Sequence, residues 1–531
     1  MPGPGYIAFL IVIKADKTSL GVLAVMTAIT IVITWPLILH LDTLVVDRVD
    51  GLLITWYLNW VIHALTSGGE GLRNFYNANI FFPAGGTLAF SDFMLPEAIL
   101  AMPAVLIFHE PLLAYNLNLL GGFILTGWAV FLLVRYLSGK ADLAFFIALL
   151  FTFSPFRFVY LVHLQLLNFW PVILAIYFLL RKRYFLYALF FGISSLTTAL
   201  FLYFLLLTAG LWFLWQKKER VAIIKSTLIA GLFTAPFLLP YFFVSRQYHY
   251  VRPIRDAIHF SLAPQDLAGQ FFPGWVFITL FLGTLAMLIS TFRKSKKIDI
   301  LPREISYWFI LALLAFVLAL GPALHIFKNT VHIGPLPALP LPYALFYYLV
   351  PGFSGFRTPS RWLILSFLAV CVATGMILRK HLRPKILLLF SLLVLFQIKY
   401  PLSFYPVPKP ASFPPEQVWL STLKTTLPLI QFPIYRWDDS QLERETLREY
   451  YSTIHWQPMF NGYSGFSPKE WEVKVRWLQA NFPSAATIQY LQDQKIKLVL
   501  APVSWEAKIS RYPALKLIKS FPQTDIYAIG E

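Results

Sequence analysis

The sequence predicts an α-helical polytopic membrane protein that closes with a small extracytoplasmic α/β domain. Three observations carry this reading. Of 531 residues, 58% are hydrophobic and only 13% are charged, roughly half the charge of an ordinary soluble domain, and the mean hydropathy is +0.64. Long apolar runs recur near the ~20 residues that a spanning helix needs. After residue 400 the character changes to prolines and then to alternating helix and strand signals. An ordinary soluble protein and a disordered chain are both excluded by the same composition.

The long runs are 20–40, 112–136, 221–243, 272–292, 306–325 and 360–379. Shorter ones lie at 142–156, 164–180 and 385–399. The stretch 184–215 is too long for one span, and its centre reads Ser194-Ser195-Leu196-Thr197-Thr198. It is expected to form two helices joined by a tight turn. Lys14 and Lys17 precede the first run, and no small-residue cleavage site follows it, so an uncleaved first span is expected.

Lysine and arginine set the orientation. The chain carries 44 Lys+Arg against 26 Asp+Glu. Nearly all of the excess falls before residue 400, where it reads as loop retention rather than nucleic-acid binding. Five basic clusters stand at Arg135/Lys140, Arg181-Lys182-Arg183, Lys217-Lys218/Arg220/Lys225, Arg293-Lys294/Lys296-Lys297 and Arg379-Lys380/Arg383/Lys385. All five fall on the cytoplasmic side if the N-terminus is inside and 94–108, with Pro96 and Pro103, does not fully cross. About eleven crossings then follow, or about twelve if it does cross. The expected location is the plasma membrane, multi-pass, with 41–111, 156–163, 244–271, 326–359 and the tail outside. The single Cys371 lies in an apolar run and excludes any disulfide within the chain.

The division read from sequence is a membrane domain over 1–399 and a soluble domain over 400–531. The tail opens with a proline-rich linker, Tyr400-Pro401 through Pro414-Pro415, that favours extended backbone. Strands are expected at 427–433, 496–501 and 520–529, and helices at 439–451, 471–481 and 485–494.

The first outer loop gathers Asp42, Asp47, Asp50, Glu70, Asp92, Glu97 and Glu110 against Arg48 and Arg73. Carboxylates beside apolar helices are costly unless paired or used. Asp50 opens an aromatic segment, 51–60, suited to lie in the interface plane. One role for such a carboxylate is a general base; the plainer one is a solvated loop or helix cap for Asp47 and Asp50. Asp92 reads as an N-cap to its own helix. Elsewhere, Arg157, His163 and Gln165 sit near an outer face. A second loop holds Arg246, His249, Arg252, Arg255 and His259, and Arg357 and Arg361 stand one helical turn apart. These arginines suit a phosphate clamp or lipid-facing snorkelling. No Walker A loop, GxGxxG or HExxH occurs. No span carries a train of charges as in an ion-coupled pump.

Several pieces, in order, resemble the GT-C class of membrane glycosyltransferases, which includes protein mannosyltransferases and aminoarabinose transferases. They are Val49-Asp50-Gly51-Leu52 with Trp56 and Trp60, Asn79-Ile80-Phe81-Phe82-Pro83, Ala114-Tyr115-Asn116-Leu117 and Phe153-Ser154-Pro155-Phe156. His163-Leu164-Gln165-Leu166, Phe356-Arg357-Thr358-Pro359-Ser360-Arg361, His455-Trp456-Gln457-Pro458 and Asn461-Gly462-Tyr463-Ser464-Gly465-Phe466 complete the set. The resemblance implies an inverting transferase that takes sugar from a polyprenyl-phosphate donor to a glycan, lipid or protein acceptor of the cell envelope. It implies Asp50 as general base, with Asp47 and Asp92 as alternatives. Arg357, Arg361, Arg252 and Arg255 would hold the donor phosphate, and His163, Gln165, Trp56 and Trp60 would contact substrate. No cofactor is required, although a divalent metal is compatible with the chemistry. Membrane lipids are expected partners and nucleic acid is not. The first loop lacks the adjacent Asp-Glu pair and the His-Pro-Pro run of several GT-C branches. A transporter, a lipid flippase or a non-catalytic relative are the competing readings.

Overall fold

Each apolar run forms a helix in the computed structural model, which describes residues 16–295, 302–327, 329–332, 334, 338–398 and 402–530. Lys14, Lys296, Lys297, Tyr400 and Pro401 lie outside the described residues. Helices Lys17–Ile33, Leu113–Ser138, Arg220–Gln247, Trp275–Ser295, Arg303–Ala319 and Leu363–Leu378 occupy the six long runs. Ala141–Thr152, Trp170–Leu180 and Pro384–Phe396 occupy the shorter ones. The stretch 184–215 divides into Tyr184–Thr197 and Ala199–Trp215. Thr198 makes the break: its backbone is extended and its hydroxyl accepts from the Leu200 N–H, the usual chemistry of an N-cap. Three stretches, Leu113–Ser138, Lys217–Gln247 and Pro359–Leu378, are each long and apolar enough to cross a membrane.

Packing divides the chain into two units. The first comprises the described parts of 1–35, 119–236 and 250–402. In it, Arg303–Ala319 packs along Leu363–Leu378, Trp170–Leu180 along Tyr184–Thr197, and Ala141–Thr152 against Pro384–Phe396. Helix Leu363–Leu378 is buried almost throughout, Cys371 included. Ser366 donates its hydroxyl hydrogen to the Ala312 carbonyl (2.9 Å), pinning two of these helices together. The helix from Arg220 is the opposite case. Leu228, Ile229, Leu232 and Phe233 are all exposed on it. An apolar face of that extent is disfavoured in water and suits lipid.

The second unit comprises 36–118, 237–249 and the described part of 403–531. Helix Asp50–Thr66 packs against helix Glu443–Ser452. Strand Leu44–Val45 pairs antiparallel with Tyr405–Pro406. The Phe81 N–H donates to the Asn461 carbonyl (3.0 Å), and the Met459 N–H donates to the Asn79 carbonyl (2.8 Å). The tail supplies a four-stranded sheet in the order Leu429–Gln431, Leu498–Pro502, Thr524–Ile529, Leu515–Ser520. Its first pair is parallel and the others antiparallel. Helices Lys469–Asn481 and Ala485–Asp493 accompany it, close to their expected limits.

Two local expectations are corrected. The segment 51–60 does not lie as an exposed interface helix: Leu52, Leu53, Trp56, Tyr57, Leu58 and Trp60 are all buried, because the tail helix covers one side of it. Asp92 does not cap its helix either. That helix begins at Leu95, after Met94 in a left-handed conformation (φ 46°), with no side-chain cap.

Candidate functional site

The carboxylates of the first loop separate by role at the start of helix Asp50–Thr66. Asp47 Oδ1 accepts from the N–H groups of Val49 (2.8 Å) and Asp50 (2.6 Å). Asp50 is the first helical residue and is half-buried. An anion there is favoured by the helix dipole. Tyr115 lies within electrostatic reach of both Asp47 and Asp50. The close fit is visible at Gly51, where an added Cβ would stand 2.7 Å from Val45 Cγ2 and 3.8 Å from Tyr115 Cζ. Asp92, also half-buried, neighbours a different pair, the phenols of Tyr57 and Tyr241. Trp56 and Trp60 stand in the core of this unit. Their indole N–H groups donate to Asn79 Oδ1 (3.0 Å) and the Phe75 carbonyl (2.9 Å), so both are committed to packing and to holding the loop.

Behind this loop the tail brings two further carboxyls that the sequence did not single out. Glu445 and Glu449 stand one turn apart on helix Glu443–Ser452 and are both fully buried. Glu445 accepts from the Tyr435 N–H (2.8 Å) and pairs with Arg448 (2.6 Å). Glu449 accepts from the Tyr463 N–H (2.5 Å), while its Oε2 has no partner. Burial pushes Glu449 well above the usual carboxylate range, and the neighbouring Glu445 adds to this, while the Tyr463 N–H opposes it. Asn461 closes the group: its Oδ1 accepts from the Gln431 N–H (2.7 Å) and its Nδ2 donates to the Gln431 carbonyl (2.9 Å) and to Glu445. That gives the Asn461-Gly462-Tyr463 run a structural role.

The first unit builds a basic cluster. Arg157 is completely buried; its Nη1 and Nη2 donate to the carbonyls of Leu166 (3.1 Å) and Leu167 (2.7 Å). These bonds hold the turn that bears His163 and Gln165. Burial lowers the Arg157 guanidinium to about 9, so it remains a cation at neutral pH. His163 is drawn down to about 3, first by burial and then by the charges of Arg361 and Arg357. It is therefore a neutral imidazole among cations. Arg361 also acts on the buried Tyr160, and both Arg357 and Arg361 act on Arg252. Arg252, Arg357, Arg361, Arg157 and His163 thus share one electrostatic neighbourhood. Arg357 stacks over Phe260 (5.4 Å) and Arg252 over Tyr250 (5.2 Å). Arg255 is exposed on the short helix Ile254–His259. Gln165 is buried on the short helix Leu164–Leu167. Asp256 also acts on Arg252, and guanidinium groups suit a phosphate.

No three His, Cys, Asp or Glu side chains come together as a metal site among the described residues. Sequence reasoning passed over Glu445, Glu449 and the anchoring role of Arg157. An i, i+4 carboxyl pair on a polar helix reads as a solvated face until its cover is known.

No protein-family model and no curated protein matches the sequence. Among solved structures the chain is similar to the arabinofuranosyltransferase AftD from Mycobacteria, at 14% identity and a TM-score of 0.52, over 96% of this chain. It spans 41% of AftD. It is also similar to ArnT from Cupriavidus metallidurans in the apo state, at 10% identity and a TM-score of 0.41, over 96% of this chain and 98% of ArnT. The form bound to undecaprenyl phosphate gives 11% identity and a TM-score of 0.39, over 99% and 98%. The chain has a GT-C-like fold: a polytopic helical membrane part with a sheet-bearing C-terminal region.

Proposed function

We propose that this protein is an integral membrane glycosyltransferase. It moves a sugar from a polyprenyl-phosphate donor to an extracytoplasmic glycan, lipid or protein acceptor. The observation that carries the reading is the basic cluster in which Arg357 and Arg361 act on both a neutral His163 and Arg252, with Arg157 buried beside the same turn. Such a cluster matches the charge that develops on a departing lipid phosphate. The fold supports it, since AftD, which is similar over nearly the whole of this chain, is named an arabinofuranosyltransferase.

In this reading the acceptor hydroxyl oxygen attacks the anomeric carbon from the side opposite the phosphate. The new C–O bond forms as the bond to the phosphate oxygen breaks, with inversion, and the phosphate leaves with the electron pair. Asp50 takes the hydroxyl proton as general base. Arg357, Arg361 and Arg252 stabilise the leaving group, and neutral His163 contacts it without adding charge. Asp92 is the second candidate for base. Asp47 is the weaker one, because its Oδ1 already serves two N–H groups. The N-terminus is cytoplasmic and the tail extracytoplasmic.

The test is transfer from a panel of radiolabelled polyprenyl-phosphate sugars in membranes, wild type beside Asp50→Asn. Product made by the wild type and lost in Asp50→Asn supports the reading. Product that survives in Asp50→Asn moves the base to Asp92, and no product from any donor sinks the transferase assignment.

A further inference from the structure

The tail contains a pocket that the transfer chemistry does not use. It has a volume of about 310 Å³ and is lined by Phe432, Tyr435 and Trp505 on one hand and Asp439, Gln441 and Gln479 on the other. All six belong to the tail. The volume sits at the small end of ligand pockets, ~300–1,000 Å³, which suits one or two sugar rings.

The lining has the two kinds of surface that a sugar ring offers. A pyranose or furanose presents C–H faces, which pack on aromatic rings, and a rim of hydroxyls, which need paired donors and acceptors. Trp505 is half-buried and lies 5.9 Å from Phe432, which is itself stacked on Phe482 (3.9 Å, 9° between planes). The platform is therefore backed by packed rings and cannot collapse inward. The polar side is held in place beforehand. Asp439 Oδ2 accepts from the Arg436 N–H (2.7 Å) and from Gln479 Nε2 (2.8 Å), and its Oδ1 accepts from Arg476 (3.0 Å). The Tyr435 hydroxyl donates to Gln441 Oε1 (3.0 Å), which fixes the amide and leaves its NH₂ group as a further donor. Rigid aromatic surface with oriented polar groups lowers the cost of binding.

The charge of the lining selects among sugars. Among the described residues it contains one carboxylate and no lysine or arginine. That carboxylate, Asp439, is paired with Arg476 (3.0 Å), so the lining presents no net charge to an ionic group and suits a neutral glycan. We propose that this pocket is a binding site for one unit of a neutral glycan, of the kind that would serve as acceptor or product chain. The proposal uses the transferase reading only to explain why a glycan is at hand; the binding itself does not depend on it.

Full-length protein in lipid nanodiscs is titrated with methyl glucopyranoside, methyl mannopyranoside and methyl arabinofuranoside, followed by saturation-transfer NMR. The expected result is saturable transfer to the ring protons of at least one glycoside. Affinity falls about fivefold in Gln441→Ala, as for the loss of one hydrogen bond, and binding is lost in Trp505→Ala. Should Trp505→Ala fail to fold by near-UV circular dichroism, the exposed Gln441→Ala decides alone. No saturable signal from any of the three glycosides, or equal affinity in Gln441→Ala and wild type, overturns the proposal. Asp50→Asn is expected to bind the glycosides as the wild type does. Failure of the wild type to transfer from any donor, with glycoside binding intact, would remove the transferase reading and leave the pocket standing.

Discussion

Asp47 fixes the turn that leads into the helix Asp50 begins: one oxygen of the Asp47 carboxylate receives the N–H groups of both Val49 and Asp50. The two acids sit three residues apart and carry different tasks. Asp47→Ala is expected to cost about 1 kcal/mol of stability, the usual net worth of a hydrogen bond, while Asp47→Asn keeps most of it. Asp50→Asn is expected to leave the melting temperature within error and to reduce transfer by at least about a hundredfold, as for the loss of a general base. Thermal melts beside transfer rates check both. Equal loss of stability from Asp47→Ala and Asp50→Asn would remove the division of roles.

Arg361 is the cation common to the fields at Tyr160, His163 and Arg252. Arg361→Gln is expected to weaken donor phosphate binding by roughly tenfold or more, the worth of one charge-assisted hydrogen bond. Arg255→Gln, outside that neighbourhood, should change it little. Donor titrations of the transfer rate measure both. A larger effect from Arg255 would place the phosphate elsewhere.

Glu449 and His455 give the tail opposite pH dependences. Burial holds Glu449 above its ordinary 4.5, so the unfolded chain loses that proton first. Stability from this group is complete below about pH 4.5 and falls as pH rises toward the folded value, by at most about 1.4 kcal/mol per pH unit. Glu449→Gln should flatten this decline. Burial lowers His455 from 6.5 to about 3, so its contribution is complete above pH 6.5 and is lost as pH falls toward 3. Melting temperatures from pH 4 to 8, with Glu449→Gln and His455→Gln, separate the two. A Glu449→Gln profile parallel to the wild type would mean that Glu449 ionises in the fold.

Gly51 admits no side chain without displacing Val45. Gly51→Ala places its Cβ at 2.7 Å from Val45 Cγ2 and is expected to cost about 1–3 kcal/mol as overpacking. The added change Val45→Ala should recover part of that loss. Chemical melts of the single and double variants give the coupling; additive losses would contradict the contact.

The helices of the membrane part were legible because burial in lipid or protein demands apolar residues over a set length. The break at Thr198 was legible because hydroxyl residues cluster where a helix must restart. The tail strands at 429–431 and 498–502 were legible from short apolar runs. The fate of single side chains was not. Trp60 reads as an interface anchor until its N–H is seen to serve the Phe75 carbonyl. Asp92 reads as a cap until the backbone turns through Met94 and the helix starts at Leu95. Glu449 reads as solvated until it is seen buried and receiving the Tyr463 N–H. Each of these depends on a partner distant in sequence, and one chain read alone carries no record of such pairings.

The bonds between Phe81 and Asn461 and between Asn79 and Met459 also impose an order of events. The ribosome delivers the carboxylate-bearing loop hundreds of residues before the strands and helix that complete its unit. Through most of synthesis, Asp50 and its helix therefore lack the cover that buries Trp56 and Trp60. Contacts of such long sequence separation form late and slowly. The loop thus acquires its final shape only when the tail docks, and a chain released before residue 459 would leave that helix with its aromatic face uncovered.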